Sequence, residues 1–289
     1  MHDQTMLTTR EDTAALAASL QASARRHATP CGDGHMIWME WGSGEPMVLV
    51  HGGSGSWRHW LRNIGPLADK FRVIAADVPG YHESALPHEP VNFTSIGKVM
   101  AEGLDRVLGA DSSYHMAGFS LGSFIAPHVI VHSERQAKSL ALVHGHLVGK
   151  MNYSPQNTLK RWRTVEDADE RREVLRHNLG ALMLAHPESA DAATIEMYRE
   201  DVETSRLRVP AFIDTLDTDI LLQLQAKICS ISGRLDPTGL PDVQAQVDKL
   251  RAFLPEAETH IIENAGHWVM YEAPEEFNKL VLDWLINNS

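Results

Sequence analysis

The feature that most constrains this chain is a repeated alternation of short apolar runs with helical segments. Six runs are typical of strands buried on both faces, because they are rich in β-branched and apolar residues and lack polar alternation. They lie at 47–53, 71–80, 113–120, 139–147, 227–236 and 259–267. Helical patterns occupy 57–68, 94–108, 121–133, 240–253 and 274–286. This alternation predicts an α/β fold built on a mostly parallel, doubly wound sheet.

Two stretches depart from the alternation. Residues 148–222 contain helical pieces at 168–184 and 192–207 but no convincing strand. About seventy-five residues is too long for one crossover connection, which predicts an inserted helical cap; a run of ordinary crossover helices is the alternative. Residues 1–34 are predicted as an N-terminal helical extension, with a helix over 11–27 that ends in basic residues. The core then comprises 35–147 and 223–289.

Two roles stay open for the N-terminal helix. It could brace the cap, or it could contact a second copy of the chain in a homodimer. The sequence alone does not choose between them.

Composition excludes several classes of function. The 289 residues carry a formal net charge of −12, which disfavours nucleic acids and anionic membrane surfaces as partners. Two cysteines, Cys31 and Cys229, exclude a disulfide scaffold and a zinc site made of several thiolates. No run approaches the ~18 apolar residues of a membrane span, and no basic cluster precedes the short apolar stretch near the N-terminus. We therefore expect a cytoplasmic protein with a small-molecule partner.

The sequence Gly118-Phe119-Ser120-Leu121-Gly122 matches the G-x-S-x-G motif. A predicted strand ends at Ser120 and a predicted helix begins directly after it. In this setting the serine occupies a sharp, strained turn that lifts its hydroxyl above the sheet edge, and bulky neighbours would clash. Ser120 is therefore the predicted nucleophile.

A serine hydroxyl needs a base, and the base needs an acid that orients it. His267 follows the last predicted strand, and Asp236 ends the strand before it. Both lie at carboxyl ends of strands, where they would point into the same crevice as Ser120. We predict a triad of Ser120, Asp236 and His267. Asp214, Asp217 and Asp219 are rival acids that more readily fit a solvated face.

The loop His51-Gly52-Gly53-Ser54-Gly55 follows the first predicted strand. Small residues let main-chain amides approach a substrate oxygen, so Gly53 and Leu121 are the predicted oxyanion donors, with Ser54 next. A phosphate loop is the alternative, but no G-K-[ST] follows, and no G-x-G-x-x-G comes after this strand.

These motifs together resemble the α/β-hydrolase superfamily. The H-G-G loop, Asp77-x-Pro79-Gly80, G-F-S-L-G, G-R-L-D and A-G-H occur in the family's order over about residues 35–287. The resemblance implies the α/β-hydrolase fold, a serine hydrolase mechanism and no cofactor. A serine at the elbow disfavours the dehalogenase and epoxide hydrolase branches, which carry aspartate there. His82 stands where many members have glycine.

A narrower resemblance is to the meta-cleavage carbon–carbon bond hydrolases. It rests on Arg62-Asn63-Ile64-Gly65-Pro66, on Trp268 after the histidine, on Glu275-Glu276-Phe277-Asn278 and on a helical cap with Tyr198-Arg199. Against it, Phe119 replaces the usual asparagine before the nucleophile, and the oxyanion loop lacks proline. Hydrolysis of a carboxylic ester, thioester or lactone of a small hydrophobic substrate is therefore the first hypothesis. Carbon–carbon bond hydrolysis and non-catalytic ligand binding are the alternatives.

The substrate pocket should lie between cap and sheet. The predicted substrate-binding residues are Ser54, Trp57, Phe119, His144 and Trp268, although core packing is the simpler interpretation of any one aromatic side chain. His144 and His146 form an H-x-H pair, but no third ligand is evident in the sequence, so no metal is predicted.

Overall fold

A computed structural model of the protein describes residues 12–110, 112–144, 159–207, 217–239 and 242–287. Within these ranges, eight strands form one sheet in the order β1-β2-β4-β3-β5-β6-β7-β8. The strands are β1 (Arg25–Cys31), β2 (Gly34–Gly42), β3 (Pro46–Val50), β4 (Arg72–Ala76), β5 (Tyr114–Phe119), β6 (Ala137–Val143), β7 (Lys227–Gly233) and β8 (Glu258–Ile262).

Strands β3 to β8 pair in parallel, and only β1 and β2 are antiparallel to their neighbours. The register aligns Phe119 of β5 with Val143 of β6, and Val143 with Ile231 of β7. The carboxyl ends of these strands therefore meet at one edge of the sheet. The predicted α/β fold with a mostly parallel sheet is confirmed.

Helices cover both faces of the sheet. They are α1 (Thr13–Ser23), α2 (Leu61–Ala68), α3 (Phe93–Leu108), α4 (Leu121–His132), α5 (Ala168–Met183), α6 (Ala192–Thr204), α7 (Val243–Phe253), α8 (Val269–Glu272) and α9 (Pro274–Asn287). One apolar layer joins the sheet to α3 and α4 through Phe93, Leu104 and Phe124, and the other joins it to α2 and α9 through Ile64 and Phe277. Among the described residues, no helix is long and apolar enough to cross a bilayer.

The N-terminal prediction was wrong in part. The helix ends at Ser23, and Arg25–Cys31 forms strand β1, which pairs with β2 and extends the sheet. The basic residues that suggested a helix end instead face Glu40 across the hairpin, with Arg25 at 3.2 Å and His27 at 2.8 Å. A two-residue turn at Gly32-Asp33 closes the hairpin, and Gly32 has a φ of +53° that favours glycine.

Two helices, α5 and α6, lie between β6 and β7, as the sequence predicted for part of 148–222. We refer to them as the inserted helices. Each begins at an aspartate that accepts a backbone hydrogen bond at its N-cap: Asp167 from Glu170, and Asp191 from Thr194. The part of 148–222 that the structure describes contains no strand, and its last element is a 3₁₀ turn that begins at Thr218.

A buried ion pair fixes the inserted helix α6 to the loop after β3. Arg58 donates to Asp201 and, at 2.7 Å, to the exposed Glu200. Ser56 donates to the other Asp201 oxygen at 3.2 Å. The Asp201 side chain is only 1% exposed, and burial raises the pKa of its carboxyl although Arg58 opposes that shift.

A single carboxylate ties the end of α5 to the loop that carries His267. Glu272 accepts hydrogen bonds from the amides of Ala185 (3.0 Å), His186 (2.9 Å) and Gly266 (2.7 Å). The Trp268 amide also donates to the Met183 carbonyl at 2.7 Å. The inserted helices are thus attached directly to the histidine loop.

Helix α1 packs between the inserted helices and the core. Thr13 of α1 lies 3.3 Å from the Thr194 hydroxyl of α6, which in turn lies 2.7 Å from the Tyr271 hydroxyl of α8. At its other end, the Leu20 carbonyl accepts from the Trp41 indole at 2.8 Å. Of the two roles left open for this helix, bracing the inserted helices is the one that these contacts support.

Three buried histidines are held neutral by the fold. Burial lowers the pKa of His51 and of His128 to about 4, and lowers that of His59 well below its ordinary value. The charges of His51, His267 and Arg58 add to the effect at His59. Proton uptake by these rings therefore favours the unfolded chain.

The ion pair at Arg58 predicts an asymmetric response to mutation. Arg58→Met leaves Asp201 buried without its cation, so we expect the free energy of unfolding in urea to fall by about 3–5 kcal/mol. Arg172→Met is the matched control, because it breaks an exposed pair with Asp169 and should cost less than about 1 kcal/mol. Equal, small losses in both variants would contradict the structural role of Arg58.

The buried histidines predict that stability falls on acidification. A histidine with a folded pKa near 4 and an unfolded pKa near 6.5 stabilises the protein above pH 6.5, and that stability is lost as the pH falls from 6.5 toward 4. His128→Gln should reduce the loss of unfolding free energy between pH 7 and 5 by about 1–2 kcal/mol. His88→Gln, at an exposed histidine, should leave the loss unchanged. An unchanged pH dependence in His128→Gln would refute this account.

Candidate active site

Ser120 stands at a strained turn between β5 and α4. Its φ is +50° and its ψ is −114°, in a region that residues other than glycine rarely occupy. Ser120 directly follows β5, and its amide extends the pairing of β5 with β6 by a 2.8 Å hydrogen bond to the Val143 carbonyl. Helix α4 then begins at Leu121. The structure thus gives the strand–turn–helix arrangement that the sequence predicted.

The two motif glycines allow the turn to close. A Cβ at Gly118 would lie 2.4 Å from the Gly122 carbonyl oxygen, and a Cβ at Gly122 would lie 2.4 Å from the Val50 carbonyl oxygen. Both contacts are with backbone, which cannot move aside as a flexible side chain could. Alanine at Gly118 would therefore push α4 away from β5, and alanine at Gly122 would push α4 away from the end of β3.

The three predicted triad residues meet at the sheet edge. His267 Nε2 lies 2.9 Å from Ser120 Oγ, and His267 Nδ1 lies 3.0 Å from Asp236 Oδ2. The Asp236 side chain is fully buried, whereas Ser120 retains partial exposure. A neutral His267 can therefore accept from Ser120 through Nε2 while it donates to Asp236 through Nδ1.

Thr238 adds hydrogen bonds to this arrangement that sequence reasoning missed. Its amide donates to Asp236 Oδ1 at 2.7 Å, and its hydroxyl lies 2.8 and 3.0 Å from the two carboxylate oxygens. A threonine two residues after an aspartate forms this local turn readily, so the Asp236-Pro237-Thr238 sequence carried the signal.

The loops that carry Asp236 and His267 are joined by backbone contacts. The Leu235 amide donates to the Ala265 carbonyl at 3.0 Å. Gly233 packs so closely that a Cβ there would lie 2.3 Å from the Ala265 and Gly266 carbonyl oxygens. The separation of acid and base is thus set by main-chain packing. Of the rival acids, Asp217 and Asp219 are exposed, and Asp214 lies outside the described residues.

Of the two predicted oxyanion donors, Leu121 directly follows Ser120, and Gly53 lies in the loop after β3. Leu121 is the first residue of α4, so its amide is one of those without an acceptor inside the helix. In the loop after β3, the Gly52 amide already donates to His59 Nδ1 at 3.2 Å, which leaves Gly53 as the next amide along. Ser54 follows with a φ of +51° and is partly exposed.

Three of the predicted substrate-binding aromatic residues lie in the packed interior. Trp57 packs on Trp41, with ring centroids 5.4 Å apart, and Trp268 donates from its indole to the His59 carbonyl at 2.8 Å. Phe119 is fully buried against the His267 ring. Packing accounts for these side chains, and among the predicted substrate-binding residues it is Ser54 that retains exposure.

The substrate-binding prediction for His144 was wrong. Its side chain is fully buried, and its φ of +51° turns the ring along the sheet edge toward the acid. The ring accepts from the Gly233 amide at Nε2 (2.7 Å) and lies 2.6 Å from Asp236 Oδ2 at Nδ1. The sequence around His144 carries no motif like the one at Ser120 that would predict a positive φ, so this orientation could not be foreseen.

Nitrogens of His144 and His267 and a carboxylate oxygen of Asp236 lie within 4.8 Å of one another, close enough to hold a metal ion. The donor chemistry does not fit a metal. His144 Nε2 accepts the Gly233 amide, so a neutral ring carries its proton on Nδ1, whereas a ligating nitrogen must be free of its proton. The 2.6 Å contact between His144 Nδ1 and Asp236 Oδ2 instead fits a neutral ring whose proton lies on the side of the carboxylate.

His82, which stands where many family members have glycine, has a positive φ of the kind that favours glycine. Its φ is +44°, and its ring lies 2.8 Å from Asp77 Oδ2. Burial opposes protonation of His82, but the hydrogen bond and charge of Asp77 raise its pKa overall. The other Asp77 oxygen accepts from the Trp57 amide at 3.0 Å, so this pair supports the oxyanion loop.

Solved structures share this architecture. An esterase from Rhodococcus sp. ECU1013 superposes with a TM-score of 0.74 at 22% identity, over 92% of this chain and 100% of that one. The naproxen esterase of Bacillus subtilis also gives a TM-score of 0.74, at 18% identity, over 94% and 96% of the two chains. At these identities the likeness concerns the fold.

Characterised relatives are similar in sequence over most of their length. The 2-hydroxy-6-oxo-6-phenylhexa-2,4-dienoate hydrolase of Burkholderia cepacia is 29% identical over 262 residues, covering 85% of this chain and 89% of the relative. A 2-hydroxy-6-oxononadienedioate/2-hydroxy-6-oxononatrienedioate hydrolase of Pseudomonas putida is 27% identical, covering 83% and 87%. The sequence profile of the alpha/beta hydrolase family matches residues 47–280, and this chain belongs to that family.

Proposed function

We propose that this hydrolase acts through a covalent acyl-enzyme on an ester, thioester or lactone of a small hydrophobic acid. The observation that carries the proposal is the hydrogen-bonded line from Ser120 through His267 to Asp236, with separations of 2.9 and 3.0 Å. A hydroxyl, an imidazole and a buried carboxylate in this order can activate a nucleophile without a cofactor.

The reaction would proceed in two displacements. His267 Nε2 takes the Ser120 proton as Oγ attacks the carbonyl carbon, and the amides of Gly53 and Leu121 donate to the resulting oxyanion. The imidazolium returns the proton to the leaving group as its bond to the acyl carbon breaks. Water, deprotonated by His267, then releases the acid and restores Ser120. Asp236 stays ionised and stabilises the imidazolium at both stages.

The inserted helices would act as a cap over this site. They reach the histidine loop through Glu272 and the oxyanion side through Arg58 and Ser56. One attachment involves the loop that carries the proposed base, and the other involves the segment that follows the loop with Gly53. A substrate would therefore bind between these helices and the sheet. The side chains of the inserted helices would then determine which acyl or alcohol groups fit.

Carbon–carbon bond hydrolysis is the second candidate, and the names of the two sequence relatives favour it. Their substrates are acids, and an acid needs a cationic or polar partner when it is bound. Arg199, on the inserted helix α6, instead pairs with Glu196 and Glu203. Phe119 offers no polar group beside the nucleophile. These two observations favour the ester class.

The proposed nucleophile can be tested by covalent labelling. A fluorophosphonate probe should label the wild-type protein at Ser120, and Ser120→Ala should abolish both labelling and ester turnover because it removes the hydroxyl that lies 2.9 Å from His267 Nε2. Ser112→Ala is the matched control, because Ser112 precedes β5 at the opposite end of that strand. Persistent labelling of Ser120→Ala would reject the assignment, and an unlabelled wild type would favour the non-catalytic alternative.

The substrate class can be tested with the same preparations. We expect turnover of p-nitrophenyl esters with acyl chains of different length, or of lactones, to exceed turnover of a ring-fission dienoic keto-acid in kcat/KM. Ser120→Ala corrects for background hydrolysis in each assay. A higher kcat/KM for the keto-acid would make carbon–carbon bond cleavage the activity.

A further inference from the structure

His144 occupies a central place in the sheet edge that carries the proposed triad. It directly follows β6, which lies between β5, where Ser120 sits, and β7, which leads to Asp236. The His144 amide continues the ladder to the Ile231 carbonyl at 3.0 Å, and its ring lies 4.9 Å from that of His267 between centroids. The fold has therefore placed a second imidazole beside the acid and the base.

The hydrogen-bond partners of His144 define its tautomer. Gly233 donates its amide to Nε2 at 2.7 Å, so that nitrogen carries a lone pair. A neutral ring then holds its proton on Nδ1, which lies 2.6 Å from Asp236 Oδ2. The same oxygen lies 3.0 Å from His267 Nδ1. One carboxylate oxygen is thus shared by two imidazoles.

We propose that His144 is a positioning residue that keeps Asp236 ionised and limits how strongly it holds a proton on His267. A neutral N–H donor stabilises a buried carboxylate without adding a second positive charge. Because it competes for the oxygen that faces His267, it also weakens the pull of Asp236 on the imidazolium. This inference rests on the proposed acyl transfer, in which His267 is the base.

The backbone at His144 supports a functional origin for this contact. A φ of +51° is unfavourable for a residue with a side chain, whereas glycine would adopt it freely. The ring has no exposed surface through which to contact a substrate. What the strained conformation achieves is the pair of contacts with Gly233 and Asp236.

The charged and titratable neighbours of this cluster are few. Among the described residues, Asp236 faces His144 and His267, with the Thr238 hydroxyl as an uncharged partner. His267 faces Asp236, His144 and Ser120, and it acts electrostatically on His59, which burial keeps neutral. Removal of the His144 donor should therefore change the contact between Asp236 and His267. That change should appear in the acid limb of the pH dependence of activity.

Three substitutions separate this role from a merely structural one. His144→Asn keeps an N–H donor at the Nδ1 position, and asparagine tolerates a positive φ. His144→Gln can reach the Gly233 amide but does not place a donor at the Nδ1 position, and His144→Leu removes both contacts. His115→Gln is the matched control, because His115 is a buried histidine near the start of β5 that contacts Ser139.

The readout is the pH dependence of kcat/KM for a p-nitrophenyl ester, with melting temperature measured in parallel. We expect the acid limb in His144→Gln and His144→Leu to move to higher pH by about 0.5–1 unit. Without the competing donor, Asp236 would stabilise the protonated His267 more strongly. We expect kcat to fall with little change in KM. His144→Asn and His115→Gln should keep the wild-type limb. Unchanged limbs in all variants, or a shift in His144→Asn equal to that in His144→Leu, would overturn the proposal.

A second readout needs no turnover and so separates failure of this inference from failure of the proposed function. Nuclear magnetic resonance of protein labelled with ¹⁵N-histidine should show His144 as the neutral Nδ1–H tautomer between pH 5 and 8. An Nε2–H tautomer or a charged ring would overturn the inference even in an active enzyme. The expected tautomer in a protein that hydrolyses no ester would uphold the contact and reject the acyl-transfer function.

Discussion

Parallel pairing of β5 to β8 is the constraint on which the site depends. Because the register aligns Phe119, Val143 and Ile231, the residues that follow these strands emerge at one edge within reach of one another. The turns then aim each side chain: a positive φ at Ser120 lifts its hydroxyl, and a positive φ at His144 directs its ring to the acid. A shift of one residue between any two of these strands would separate the groups.

Attachment of the inserted helices is built from the same elements as the catalytic geometry. Glu272 binds the end of α5 and the histidine loop through one carboxylate. Displacement of α5 would therefore also displace His267. On the opposite side, Arg58 and Ser56 bind α6 to the loop that also contains Gly53. A substrate that changes the position of these helices would therefore move both His267 and the loop that contains Gly53.

The sequence predicted the parts of the structure that depend on local pattern and on strand order. Apolar runs identified β3 to β8, and glycines around Ser120 identified the turn. It misled where one pattern had two explanations. Arg25 to His27 suit a helix end as well as a strand. The short Gly32-Asp33 turn, which pairs this segment with β2, is what distinguishes the strand from the helix. Trp57 and Trp268 suit a pocket as well as a core, and only tertiary packing distinguishes them. For His144, no motif like the one around Ser120 indicates the positive φ that directs its ring to Asp236 and not into a substrate pocket.

The central claim is that Ser120 becomes covalently acylated during turnover, and rapid-quench mass spectrometry tests it most directly. Wild-type protein mixed with p-nitrophenyl acetate and quenched before steady state should carry one acetyl group on the peptide that contains Ser120. The acetyl group should appear with the first equivalent of p-nitrophenol and decay at the rate of turnover. Turnover with no acetylated peptide at any time, or acetylation confined to another residue, would contradict the account.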